Sequence, residues 1–141
     1  MGFVSVTRLR LRSIRFLPAF AIQTTRAMQQ VRAAEGFQDG AVMGDLRLAF
    51  WTLTLWDAQP SMQRYMTSGA HRIAMPSLMR WCDEASVVHW NTDLIPSWDE
   101  ANHRMRTEGR PSKILHPSAD HLSLTFKPTS PRFGGPISRS A

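Results

Sequence analysis

Five histidines, five tryptophans and a single cysteine are the side chains from which this chain would build chemistry. His71 is the leading candidate. His71, Ala74, Leu78 and Trp81 fall at offsets of three, seven and ten, one stripe of a helix, which turns the imidazole inward toward a sheet. An imidazole that titrates near ~6.5 can act as a general base or bind a metal or haem iron. The same placement also suits a core histidine bonded to backbone. His89 and Trp90 are consecutive strand residues and project from opposite faces, while His103, His116 and His121 fall in the C-terminal part. No pair of histidines has the i, i+4 spacing of a helical metal site, and no HExxH or CxxC motif occurs, so no metal is expected. Cys82 stands alone, which excludes an intrachain disulfide and a cysteine zinc site, and it reads as a small core residue of a protein in a reducing, cytoplasmic setting. GxGxxG, P-loop and GxSxG signatures are all missing, which removes the fingerprints of nicotinamide, nucleotide and serine-hydrolase chemistry.

Aromatic residues are the second feature. Trp51, Trp56, Trp81, Trp90, Phe50 and Tyr65 fall in segments that should meet between helices and sheet, and Thr52 and Thr54 add hydroxyls to one strand face. This mixture suits a pocket for a flat, apolar small molecule with a few polar groups, and it equally suits an ordinary core.

The elements that would position these groups follow from periodicity. Phe3 to Leu11 alternates as a strand, with Leu9 and Leu11 on one face and Arg8, Arg10 and Arg12 on the other. Pro18 suits a first helical turn, and apolar residues from Leu17 to Val31 recur at three-and-four spacing until Gly36. Phe37 to Met43 and Arg47 to Trp56 read as a hairpin around Gly44-Asp45. A short helix follows Asp57, a second runs from Gly69 to about Asp83, and Ala85 to Trp90 forms the last core strand. The order βαββαβ predicts an α+β fold of ferredoxin-like type, one antiparallel sheet with helices on one face. The other face would be bare, and burying it predicts a homodimer arranged as a dimeric α+β barrel. Residues 1–92 form this domain; 93–127 add a C-terminal helix from Ser97 to Glu108 and an arm with a short strand at Leu122 to Phe126; 128–141 are expected to be a disordered tail.

Size and charge limit the function further. The 141 residues suffice for one globular domain, and no apolar run approaches the ~18 residues of a membrane helix, so no membrane role is expected. The net charge of +6 is concentrated early, with six arginines and no acid in residues 1–34. No recognition motif accompanies them, so no nucleic-acid partner is expected. The arginines of the first strand are read as reaching solvent or pairing with acids elsewhere in the fold.

The segments F-W-T-L-T-L-W-D (50–57), S-G-A-H-R-I-A-M-P (68–76) and W-C-D-E-A-S-V-V-H-W (81–90) resemble the antibiotic biosynthesis monooxygenase-like superfamily. More narrowly, they resemble an uncharacterised bacterial subgroup near the DUF3291 and spheroidene monooxygenase-like proteins. The resemblance covers roughly residues 3 to 90. It implies a dimeric α+β barrel and an oxidoreductase activity, a monooxygenase needing neither metal nor flavin, acting on an apolar or aromatic substrate. His71 would be the base, Trp51, Trp56, Trp81 and Tyr65 would line the pocket with Thr52 and Thr54, and Arg8 or Arg10 would hold an oxygen anion. Haem-degrading relatives pair a helix histidine with a first-strand asparagine and a tryptophan, where this chain has Ser5, Thr7 and Arg8, and Tyr65. The alternatives are a non-catalytic homodimer of the same fold, structural or binding a small ligand, and a haem-binding protein.

Overall fold

The computed structural model describes residues 2–127 and 132–140. Strand β1 (Phe3–Leu11) is followed by a 3₁₀ turn whose Ser13 hydroxyl accepts from the Arg15 amide, and by helix α1 (Leu17–Arg32), which opens on Pro18. Strands β2 (Phe37–Gly44) and β3 (Ala49–Trp56) form the hairpin. Its turn is held by the Asp45 carboxylate, which accepts from the amides of Arg47 at 2.9 Å and Ala49 at 3.1 Å. Helices α2 (Gln59–Met66) and α3 (Gly69–Trp81) then lead into β4 (Cys82–Asn91). Gly69 separates the two helices at φ +57°, a left-handed conformation that glycine adopts without penalty. Strand β4 therefore begins three residues earlier than the valine-rich run suggests.

Helix α4 (Trp98–Glu108), capped by the Ser97 hydroxyl on the Glu100 amide, and strands β5 (Arg110–Pro111) and β6 (Phe133–Ile137) complete the chain. The antiparallel sheet has the order β5-β4-β1-β3-β2-β6, with β1 central as the ferredoxin-like arrangement requires. Two expectations for the C-terminal part change. Residues 133–137, assigned to a disordered tail, pair with β2 from Gly40 to Gly44, so the sheet gains an edge strand. The short strand expected at Leu122 to Phe126 is a turn over 121–124.

Register separates the two faces of the sheet, because residues directly opposite on neighbouring strands share a face. Ser5, Thr7 and Leu9 stand opposite Thr54, Thr52 and Phe50, and this face meets α1, α2 and α3. Val4, Val6 and Arg8 stand opposite Leu55, Leu53 and Trp51 on the other face. That second face is not bare. Ala101 and Met105 of α4, both fully buried, pack with Phe126 onto Val6, Trp51, Leu53 and Val88, with Trp98 and Leu124 at the margin. The premise of the expected homodimer, an uncovered apolar face, is therefore absent: the chain covers the face itself. Periodicity within residues 1–92 could not reveal this, because the cover comes from the expected Ser97 to Glu108 helix and the arm after it, and neither carries in its own pattern where on the sheet it packs.

Candidate active site

Between the helices and the first face of the sheet lies a cavity of about 540 Å³, within the range of small-molecule sites. Its floor is a patch of hydroxyls, Ser5 and Thr7 from β1 beside Thr52 and Thr54 from β3, set side by side by the strand register. The walls come from Phe20 and Met28 of α1, Phe50 of β3, Met62 and Tyr65 of α2, and Met75 and Leu78 of α3. Methionine thioethers are flexible and polarisable, so such walls adapt to the outline of an apolar guest. Among the described lining residues there is no Asp, Glu, Lys or Arg.

His71 lines this cavity from the first turn of α3. Its Nδ1 lies 3.1 Å from the Met66 carbonyl oxygen, which can only accept, so Nδ1 carries the proton and Nε2 keeps the lone pair. Burial holds the imidazole below its ordinary pKa, and the Met66 carbonyl opposes this only partly. The ring is therefore neutral near pH 7, the state a general base needs. Gln30 of α1 fixes the backbone around it: its side-chain oxygen accepts from the His71 amide at 2.8 Å, and its nitrogen donates to the carbonyls of Tyr65 at 3.1 Å and Ser68 at 2.8 Å. One glutamine thus ties α1 to the joint between α2 and α3.

Tyr65 packs tilted against His71 at 4.9 Å and against Trp56 at 5.4 Å, and its hydroxyl donates to the Ala27 carbonyl at 3.3 Å. Burial pushes its phenol well above the ordinary value, so it stays protonated and serves as a wall rather than a base. Trp56 is fully buried behind the lining, edge-on to Phe37, and its indole N–H donates to the Thr54 hydroxyl at 2.8 Å.

The structure brings His71, Tyr65, Thr52 and Thr54 to one cavity and places the remaining candidates elsewhere. Trp51 borders the cavity, yet its indole lies on the far face of the sheet, T-shaped against Trp98 and Phe126. Trp81 stacks on Phe16 at the end of α3. Arg8 and Arg10 are on the far face too, where Arg8 meets Glu84 at 2.7 Å and Arg10 meets Asp83 at 2.6 Å. Neither guanidinium reaches the cavity, so neither is placed to hold an oxygen anion there. Strand alternation is the reason, since an even-numbered residue of β1 cannot share a face with Ser5 and Thr7. The same alternation would have found Ser5 and Thr7 as lining residues. Met28 lies on the apolar stripe that the helical spacing marks, whereas Gln30 had no such signal, because which side of α1 meets α3 is set by packing.

Cys82 is fully buried, and its thiol is pushed up to about 12 by burial and by the neighbouring Asp83 charge, which leaves it unreactive. No group of three or more metal-ligating side chains occurs among the described residues. Haem fits the lining poorly, because its two propionates would enter a cavity with no cation to meet them. No helix among the described residues is long and apolar enough to cross a membrane.

Neither a protein-family model nor a curated protein matches the sequence. Solved structures do match the fold. A conserved protein from Methanosarcina mazei superposes with a TM-score of 0.59 at 16% identity, covering 66% of this chain and 94% of that one. The cofactor-independent oxygenase SnoaB of Streptomyces nogalater gives 0.55 at 9% identity over 66% and 94%. A crystal structure of an antibiotic biosynthesis monooxygenase gives 0.58 at 7% identity over 65% and 99%. The chain has the ferredoxin-like fold of antibiotic biosynthesis monooxygenase-like proteins. About a third of it has no counterpart in these neighbours.

Proposed function

We propose that this chain is a cofactor-independent monooxygenase acting on a small apolar or aromatic substrate, with His71 as general base. The observation that carries this is the neutral His71, its Nδ1 proton committed to Met66, at the wall of an uncharged cavity floored with hydroxyls. In this reading Nε2 removes a proton from a methylene made acidic by an adjoining carbonyl. The carbanion passes one electron to dioxygen, the resulting radical and superoxide join as a peroxide anion, and this takes the proton back from His71 to become a hydroperoxide. Loss of water then leaves a carbonyl where the methylene stood. One oxygen atom enters the substrate, the other leaves as water, and the substrate supplies all four electrons. Dry walls protect the carbanion from reprotonation by water. The likeness in fold to SnoaB, a cofactor-independent oxygenase, supports the same reading. The narrower kinship with spheroidene monooxygenase-like proteins belongs to this proposal as well.

The test is dioxygen uptake with anthrone, a flat methylene ketone. His71→Ala should keep the fold and lower the rate by roughly 10²- to 10⁴-fold, the usual contribution of a positioned base. Unchanged uptake overturns the assignment. The second reading is a binding module in which His71 is structural, favoured by its bonds to Met66 and Gln30. Anthrone retained in the cavity and never oxidised would establish it. In either reading a second copy of the chain is not needed to bury the sheet.

A further inference from the structure

We propose that Thr54, set as a hydrogen-bond donor by Trp56, seats a carbonyl oxygen of the bound molecule, and that the cavity selects uncharged ligands over anions. The inference rests on the reading above that this cavity holds the substrate. It replaces the arginines as the group that meets the substrate oxygen.

The Trp56 indole nitrogen can only donate, and it donates to the Thr54 oxygen at 2.8 Å. One lone pair of that hydroxyl is therefore occupied by a donor, and its own proton must be directed elsewhere. The protein acceptor it finds is the Ser5 carbonyl at 3.4 Å, well beyond the 2.5–3.0 Å at which a hydroxyl bonds well. Thr54 is 7% exposed and lines the cavity, so what occupies the cavity is what can meet that proton. A ligand carbonyl arriving at ordinary distance offers a better acceptor than Ser5. A donor polarised by a second hydrogen bond is also the arrangement that favours charge growing on that oxygen as an enolate forms. Trp56 lies outside the lining and acts through Thr54, so it is a positioning residue.

Selection against anions follows from the lining. A carboxylate entering this cavity would lose its water with no Lys or Arg among the described lining residues to meet it, and Arg8 and Arg10 are engaged on the opposite face.

Three probes of matched outline test both parts: fluorene, 9-fluorenone and 9-fluorenone-2-carboxylate, titrated by calorimetry into the full chain. Fluorenone should bind about tenfold more tightly than fluorene, the ordinary worth of one buried hydrogen bond, and the carboxylate more weakly than either. Thr54→Val should remove the preference for the ketone while leaving fluorene binding intact, Thr54→Ser should restore it, and Trp56→Phe should reduce it. The infrared carbonyl stretch of bound fluorenone should shift to lower frequency in the wild type and in Thr54→Ser but not in Thr54→Val, a readout that a purely structural role would not move. Equal binding of fluorene and fluorenone, or a carbonyl shift that persists in Thr54→Val, overturns the seat while leaving the cavity reading standing. Tighter binding of the carboxylate overturns the selection. If none of the three binds, the cavity reading and the seat fail together.

Discussion

The Arg8 guanidinium and the Glu84 carboxylate meet at 2.7 Å on the sheet face turned away from the cavity, with side chains only 3% and 9% exposed. The second Glu84 oxygen accepts from the Ser118 hydroxyl at 2.8 Å, and Phe126 lies over the guanidinium at 4.1 Å. Burial holds Arg8 below its ordinary pKa despite its partner, so the pair is desolvated in earnest. Breaking a buried pair from one side leaves the other charge stranded. Glu84→Gln should therefore cost about 3–5 kcal/mol in urea denaturation, while replacing both partners together by apolar residues of similar volume should cost much less. Ligand affinity in the helix-side cavity should be unchanged in the double replacement; a large loss there would return Arg8 to the site.

Gln30 makes a separate prediction. Its three bonds to the backbone of Tyr65, Ser68 and His71 hold the start of α3 against α1. Gln30→Ala leaves the His71 amide and two carbonyls without these partners and should destabilise the fold by about 1–3 kcal/mol. Turnover should fall with little change in KM, since His71 moves while the walls remain. Gln30→Glu, which keeps the acceptor and loses the donors, should restore only part of the stability.

The histidines set a pH dependence whose sign is fixed. Burial lowers the pKa of His71, and burial together with the Arg110 charge lowers that of His89. Each binds its proton more readily in the unfolded chain, so stability rises with pH between the folded and unfolded values. The contribution is complete above the unfolded value near ~6.5 and is lost as pH falls through that value toward the folded one. Urea midpoints measured from pH 8 to pH 5 should drop on the acid side, and the drop should be smaller in His71→Gln. Oxidation rates should decline further to the acid side, as pH falls through the lowered value of the folded His71, because protonated His71 cannot act as a base.

How much of this was legible in the sequence depends on what each residue's position is set by. Alternation and helical stripes need only near neighbours, and they placed β1, α1, the hairpin, α3 and the inward turn of His71. Thr52 and Thr54 followed from the same alternation. Trp51, Arg8 and Arg10 were assigned by residue type rather than by face, and the register puts all three side chains on the side opposite Thr54. Trp56 shares the face of Thr54 but is covered by Phe37 and Tyr65, a matter of packing depth that period two does not report. The C-terminal part was the least legible, because its order comes from contacts with strands laid down earlier in the chain rather than from a period of its own. His121 shows this locally: its Nδ1 accepts from the Ala85 amide and its Nε2 donates to the Ser112 carbonyl, pinning an irregular segment to β4.

Phe126 tests the cover itself. It is 3% exposed, it packs on Trp51 at 5.9 Å, and Arg106 reaches over its ring at 4.4 Å while donating to its carbonyl at 2.8 Å. Phe126→Ala should cost about 3–5 kcal/mol, the range for truncating a buried aromatic. It should also open the face around Val6, Leu53 and Val88, which the cover keeps from water. The wild-type chain, with that face already occupied, should sediment as the 16.0 kDa monomer across a broad concentration range, whereas the variant should associate as concentration rises. A wild-type dimer that protects β1 and β3 from hydrogen exchange only when associated would mean that a second copy, and not α4 with Phe126, seals the sheet.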